Sequence, residues 1–291
     1  MKVLVIGTGF LGKCIVEQFK IKNFDVFNTN FQNLKKKQIF LDITKIGTVE
    51  KVVKKIEPQL IINCAGSTSV DFLESHPDLG FSINSYGPEN LASICNKNKI
   101  RLIHISTDSV FDGKNGSYSE EDIPNPINVY SKSKLLGEEL VSKNLHNHVN
   151  VRTNFFGYNI EGKFLLNTIL RTLSENKHFT GFHDVFFNPL EISNLSKMIV
   201  ELSQKEVTGT INLSSDQIIS KYEFALEVAK TFDLNLDLIY KSSVEDFKFI
   251  AKRPKNTSLL NSKAKKIMST KIFSVKESLN RIKKENESMN F

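Results

Sequence analysis

Short apolar runs separated by stretches of helical periodicity dominate the first half of the chain. Lys2-Val3-Leu4-Val5-Ile6 is a β-branched run with the look of a buried parallel strand. It passes into Gly7-Thr8-Gly9-Phe10-Leu11-Gly12, after which Lys13 to Phe19 repeats its apolar positions at helical spacing. Phe24-Asp25-Val26-Phe27 predicts a second strand and Ile39 to Thr44 a third. Pro58 to Gly66 predicts a fourth, closing on small residues, and Arg101 to Asp108 predicts a fifth after the helix around Leu91-Ala92. Strand and helix alternating in this way to about residue 150 predict an α/β fold, a doubly wound parallel sheet with helices on both faces.

Past residue 155 the pattern loosens. Lys163 to Leu173 predicts a helix, Asp184 to Leu190 a segment returning toward the sheet, and Ser193-Asn194-Leu195-Ser196 the cap of another helix. Thr208 to Leu213 reads as a short strand, and Ser220 with Glu223 has capping-box spacing at the start of a helix. Lys276 to Lys284 is a polar amphipathic helix expected to fray. The expected division is a first unit of residues 1–155, with a returning segment at about 185–205, and a smaller unit made mainly of 156–291.

Composition narrows the classes. A chain of 291 residues, 40% hydrophobic and 24% charged, can bury one large core and a smaller one. Cys14, Cys64 and Cys95 are far apart, odd in number and set in apolar runs, which predicts buried thiols in a reducing compartment rather than a disulfide framework or a metal site. The net charge of +7 is spread along the chain, with Lys35-Lys36-Lys37 the one run of three, so a small anionic substrate or simple solubility accounts for it and a nucleic-acid partner is not expected. No stretch approaches the ~20 apolar residues of a membrane span, and the apolar start is too short for a signal peptide. The expected location is the cytoplasm.

Two patterns carry chemistry. Strand, Gly-x-Gly-x-x-Gly and helix in succession is the context of a dinucleotide phosphate loop: small residues admit the backbone to the pyrophosphate, and the helix N-terminus offers free N–H groups. About twenty residues on, where Asp or Glu would hold the ribose hydroxyls, stand neutral Asn28 and Thr29, so NADPH is allowed as well as NADH. Asp42 would accept from an adenine amine or cap the next helix. Small Cys64, Ala65 and Gly66, and then Ser106 and Thr107, fall at strand carboxyl ends, where a ligand lies across such a sheet. His104 sits in the apolar alternation of its strand and reads as a core residue. The second pattern is Tyr130 and Lys134, one helical turn apart on one face, where a cation beside a phenol would lower its pKa and make it a proton donor and acceptor.

Gly7 to Gly12, Asn63-Cys64-Ala65-Gly66, Ser106-Thr107-Asp108-Ser109-Val110-Phe111-Asp112-Gly113, Pro126 to Lys134 and Gly137-Glu138, in this order and spacing, resemble the extended short-chain dehydrogenase/reductases. Together with Arg253-Pro254-Lys255-Asn256 they look most like the dTDP-4-dehydrorhamnose reductase branch. The resemblance implies a Rossmann-type fold with a smaller C-terminal α/β substrate domain, and reduction of the 4-keto group of a nucleotide-activated deoxysugar by NADPH or NADH. It implies Tyr130 as proton donor, Lys134 as holder of the nicotinamide ribose, and Thr107 as donor to the carbonyl oxygen. It assigns the cofactor to Gly7, Gly9, Phe10, Leu11, Gly12, Asn28, Asp42, Ile43, Cys64, Ala65, Gly66 and Ser67, and the substrate to Ser106, Thr107, Phe155 and Arg253, the last on the diphosphate.

Three places depart from the family pattern: Ile6 where its first glycine usually lies, Ser109 where the branch usually has Tyr, and Phe155 where it has Trp. Some relatives are dimers, so the resemblance leaves a homodimer open. Two other functions stay open as well, an NAD-dependent nucleotide-sugar epimerase and a non-catalytic cofactor-binding subunit like that of methionine adenosyltransferase.

Overall fold

The computed structural model describes residues 1–31, 39–158 and 164–288, the last three by backbone alone. Seven parallel strands form its central sheet. β1 (Lys2–Ile6) has β2 (Asp25–Asn30) and then β3 (Ile39–Phe40) on one side. On the other lie β4 (Leu60–Asn63), β5 (Arg101–Ile105), β6 (His148–Thr153) and, at the far edge, the late strand β11 (Gly209–Leu213). The order reverses between β1 and β4, and a crevice therefore opens beyond their carboxyl ends, the place where doubly wound sheets take ligands.

The period-two alternation of the strands divides the core. Val3, Val5, Leu60 and Ile62 face one cluster, covered by α1 (Phe10–Ile21), α8 (Ile192–Leu202) and α10 (Ser262–Ile267). Leu4, Ile6, Ile61 and Leu102 face the other, under α2 (Ile46–Ile56), α5 (Gly87–Lys97) and α6 (Val129–Asn144). Burial on both faces explains why these strands read as continuous apolar runs. Two short helices, α3 (Val70–Ser75) and α4 (Pro77–Phe81), lead through one π-helical turn at Ser82–Tyr86 into α5.

A separate core gathers from the later half. Phe156, Leu166, Ile169, Phe187, Phe224 and Val228 pack together there. They come from β7 (Phe155–Phe156), α7 (Leu165–Ser174), β9 (Phe186–Phe187) and α9 (Lys221–Thr231). The strands of this region form two-stranded ladders: β7 with β10 (Leu190–Glu191), β9 with β12 (Ile219–Ser220), and β8 (Phe179–Phe182) with β13 (Ile239–Ser242).

Several local expectations change. β3 stops at Phe40 because the Asp42 carboxylate turns the chain, accepting from the Thr44 N–H at 3.0 Å and the Thr44 hydroxyl at 2.7 Å. Asp42 therefore caps no helix; the N-cap of α2 is Lys45, which provides no side-chain cap. The cap of α8 is Glu191, whose carboxylate accepts from the N–H groups of Ser193 and Asn194 at 2.7 and 2.9 Å. The Ser220–Glu223 capping box forms in both directions. The last helix, α11 (Val275–Ser288), is docked: Val275, Leu279 and Ile282 bury one stripe in the second core. Lys35, Lys36, Lys37 and Lys163 lie outside the described residues. Among those described, no helix is long and apolar enough to cross a membrane.

Candidate active site

The glycine loop joins β1 to α1 under tight steric limits. Gly7 has φ +85°, and a Cβ there would sit 2.6 Å from the Ala65 backbone nitrogen. At Gly12 a Cβ would strike the Gly7 carbonyl, so the helix can pack this close to the strand only as glycine. Gly9 is different: it is exposed, and a Cβ would meet nothing within 4 Å. As N-cap of α1 it provides no side chain to the first helical N–H groups. An open niche in front of uncapped amides suits a diphosphate. Cys64, Ala65, Gly66 and Ser67 continue its wall, pinned by Asn84, which accepts from the Ser67 N–H at 2.8 Å and donates to the Ser67 carbonyl at 2.9 Å. At the end of β2, Asn28 is partly exposed and the buried Thr29 hydroxyl has no partner among the described residues. Ile43 is buried, and the Asp42 carboxylate is taken by Thr44. These groups fit a dinucleotide, with no carboxylate at the end of β2 to repel a 2′-phosphate.

Beyond the carboxyl end of β5 the reactive side chains meet. The Thr107 hydroxyl faces the Tyr130 phenol, accepts from the Ser109 N–H at 3.2 Å and donates to Asp108 Oδ1 at 3.1 Å. Tyr130 is aimed by Asn128, the N-cap of α6, whose Oδ1 accepts from the Ser131 N–H at 2.9 Å. One turn on, the Lys134 ammonium donates to the Ile105 carbonyl at 2.7 Å. Burial drives the lysine down to about 8, with Glu138 opposing. The expected lowering of the tyrosine is reversed. Burial pushes Tyr130 up to about 12, Thr107 opposes and Asp108 adds to the rise, while the Lys134 ammonium is turned to a backbone carbonyl. A phenol in that state carries its proton at neutral pH and is ready to donate it.

Ser106, expected on the substrate, gives its hydroxyl instead to Glu138, in a short hydrogen bond. Glu138 is also chelated by Arg152 at 2.8 and 3.0 Å, a buried pair that fixes the back of α6 against β6. His104 is a core residue, its Nδ1 at 3.0 Å from Asn63 Nδ2, and burial holds it well below its ordinary pKa.

A cleft of about 370 Å³ opens between this edge and the second core, lined among others by Ser109, Asn154, Phe182, Phe187, Lys221 and Arg253. Phe155 is not part of its lining; it packs on the core of the large sheet. Asp108 ties cleft to catalytic edge: its Oδ2 accepts from Asn154 at 3.0 Å and Thr257 at 2.6 Å, its Oδ1 from Thr107 and Ser109. Arg253 donates through Nη2 to Asp71 at 2.6 Å, lies 4.9 Å above the Phe249 ring and leaves Nη1 without an acceptor among the described residues. Asp71 also takes the Ala251 N–H at 2.9 Å, and Asn128 donates to the Lys252 carbonyl at 2.9 Å, so the arginine loop is fastened to the tyrosine helix.

Sequence reasoning gave no role to Asp71, Asn84, Asp108, Asn128 or Lys221. Asn128 was detectable as an N-cap three residues before Ser131, and Asn84 stood out among the poor helix formers Ser82 to Pro88. Asp71 and Lys221 carry no local signal.

Comparison with known proteins adds to this geometry. Residues 1–288 match the family model described as the RmlD substrate binding domain. The dTDP-4-dehydrorhamnose reductase of Aggregatibacter actinomycetemcomitans is 29% identical over 277 residues, 89% of this chain and 90% of that protein. Methionine adenosyltransferase 2 subunit beta of Bos taurus is 30% identical over 268 residues, 89% of this chain and 80% of that protein. The crystal structure of dTDP-4-dehydrorhamnose reductase from Bacillus anthracis in complex with NADP has a TM-score of 0.90 and 30% identity, covering 98% of this chain and 99% of that one.

Proposed function

The chain belongs to the RmlD substrate binding domain family, and from that premise we propose that it reduces the 4-keto group of a nucleotide-activated deoxysugar with NADPH or NADH, as an extended short-chain dehydrogenase/reductase of the cytoplasm. The observation that carries this reading is the convergence of Thr107, Tyr130 and buried Lys134 at the carboxyl edge of the sheet that bears the glycine loop. Residues 1–155, with the segment at about 185–205, hold the cofactor: Gly7, Gly9 and Gly12 with the uncapped start of α1 take the diphosphate, and Cys64 to Ser67 form the wall. Residues 156–291 supply most of the substrate site.

A bound dihydronicotinamide supplies hydride to the ketone carbon. The chain's own side chains do the rest. Thr107 turns its hydroxyl from Asp108 Oδ1 to donate to the carbonyl oxygen, Tyr130 releases its phenolic proton to the alkoxide forming there, and Lys134 would leave the Ile105 carbonyl to hold the nicotinamide ribose. Proton donation of this kind contributes ~10²–10⁴-fold, and orientation by Asn128 and Asp108 adds to it.

The test is to mix the protein with NADPH or NADH and a dTDP-4-keto-6-deoxyhexose and follow the reduced-nicotinamide absorbance. Oxidation matched by an equal amount of reduced sugar is expected. Calorimetric cofactor binding without oxidation would defeat the proposal in favour of a second reading, a cofactor-binding subunit, which the similarity to methionine adenosyltransferase 2 subunit beta favours.

A further inference from the structure

Lys221 opens α9 and reaches into the cleft, where its ammonium lies 3.1 Å over the centroid of the Phe187 ring. The Phe187 π face attracts the ammonium, yet three features still leave this an under-satisfied place for a cation in the free protein. It stands at the first position of an eleven-residue helix, at the positive end of the macrodipole. The surrounding wall is aromatic, with Phe179, Phe182, Phe186 and Phe249 beside Phe187, and burial pushes the ammonium down to about 8. Among the described residues nothing accepts a hydrogen bond from it and no carboxylate pairs with it. The carboxylate that influences it is Asp108, and both oxygens of Asp108 are occupied by the four donors Thr107, Ser109, Asn154 and Thr257. The other cations nearby are spoken for or shared: Lys255 bridges Asp184 and Glu245, and Arg253 gives one nitrogen to Asp71 and keeps another unpartnered.

We propose that Lys221 is a substrate-binding residue that holds an oxyanion of the nucleotide sugar in this cleft, acting with Arg253 as the second of two cations there. The anionic oxygen belongs either to the diphosphate or to a carboxylate on the sugar, and both present the same partner to an ammonium. A half-buried cation with three donors and no carboxylate beside it is completed by such a ligand, whereas a neutral deoxysugar alone offers it only hydroxyls. This inference rests on the reading of the cleft as a nucleotide-sugar site and is independent of whether turnover occurs.

The experiment is calorimetric titration of the whole protein and of its Lys221→Met and Lys221→Arg variants, loaded with NADP⁺, using dTDP, dTDP-glucose and dTDP-glucuronate as probes. Methionine fills the same space without charge, so a folded variant with unchanged or raised melting temperature is expected. Loss of one charge-assisted hydrogen bond weakens binding by roughly 10–100-fold. Such a loss for all three probes in Lys221→Met, restored by arginine, assigns Lys221 to the diphosphate. A loss confined to dTDP-glucuronate assigns it to a sugar carboxylate. Equal affinity of wild type and Lys221→Met for every probe overturns the proposal, as does failure of the wild type to bind any of them. Because the readout is binding, a protein that discriminates through Lys221 yet never oxidises NADPH would defeat the reductase reading alone.

Discussion

The two sides of the site are built on opposite terms. Around Tyr130 most polar groups satisfy one another: Thr107 with Asp108 and Ser109, Asn128 with the start of α6, Lys134 with Ile105, and Ser106 and Arg152 with Glu138, with Ser131 Oγ and Arg152 Nη1 left over among the described residues. Around Arg253 and Lys221 donors are left over, on residues that reach the cleft from loops and helix starts late in the chain. The first side is largely preorganised, a ligand having only to redirect the Thr107 hydroxyl and the Lys134 ammonium. The second is charged and incomplete until something anionic enters. A site can therefore keep its chemistry rigid while leaving recognition to unmatched charge.

The comparison breaks most decisively at Tyr130. Tyr130→Phe keeps the ring and removes only the transferable proton, so kcat should fall by ~10²–10⁴-fold with the affinity for NADPH changed less than about threefold. Steady-state rates and cofactor titration check this; a variant retaining most of its rate would remove Tyr130 as the acid. Asp108→Asn is the next test. Four donors converge on that carboxylate, and an amide group turns two of its acceptor sites into donors. The expected cost is ~1–3 kcal/mol of stability with a fall in kcat of about tenfold or more, larger than the rise in KM, because Thr107 loses its orientation. Melting curves and kinetics together read it, and a fall in melting temperature with kcat intact would confine Asp108 to a structural role.

Asn128→Ala sharpens the link between the sides. Loss of the N-cap costs ~1 kcal/mol, and loss of the bond to the Lys252 carbonyl loosens the arginine loop, so KM for the nucleotide sugar should rise more than kcat falls. The last effect is in pH. Lys134 binds its proton less tightly folded, at about 8, than at its ordinary value of 10.5. Between those values the unfolded chain holds the extra proton, and this residue makes stability rise with pH across the window. Lys134→Met removes that contribution. The gap between mutant and wild-type stability, followed by denaturant unfolding from pH 7 to 10, should shift in favour of the wild type as pH rises; a constant gap would mean the lysine is not displaced from its ordinary pKa.

Most of the large sheet was legible because its signals are local. Five apolar runs, a glycine loop and a helical Tyr–Lys pair each lie within one element, and a parallel strand buried on both faces announces itself as an unbroken apolar run. The boundaries that shifted did so where a side chain competed for the backbone, as Asp42 does in ending β3 and Glu191 in starting α8. The expected effect of Lys134 on Tyr130 failed for a different reason: spacing places two groups on one face but does not say where an ammonium points or how much water surrounds a phenol.

By itself the sequence determined the order of strands and helices, the steric demand for glycine at Gly7 and Gly12, and the identity of the groups able to move a proton, because each follows from residues adjacent along the chain or one turn apart. Only the tertiary structure decided that Asp71 holds Arg253, that Asp108 gathers donors from residues 107 to 257, and that Lys221 stands over Phe187 with no carboxylate paired to it among the described residues. Those are contacts across long loops, where burial and the completion or absence of a hydrogen-bond partner set the energy, and neither can be counted until the chain has closed on itself.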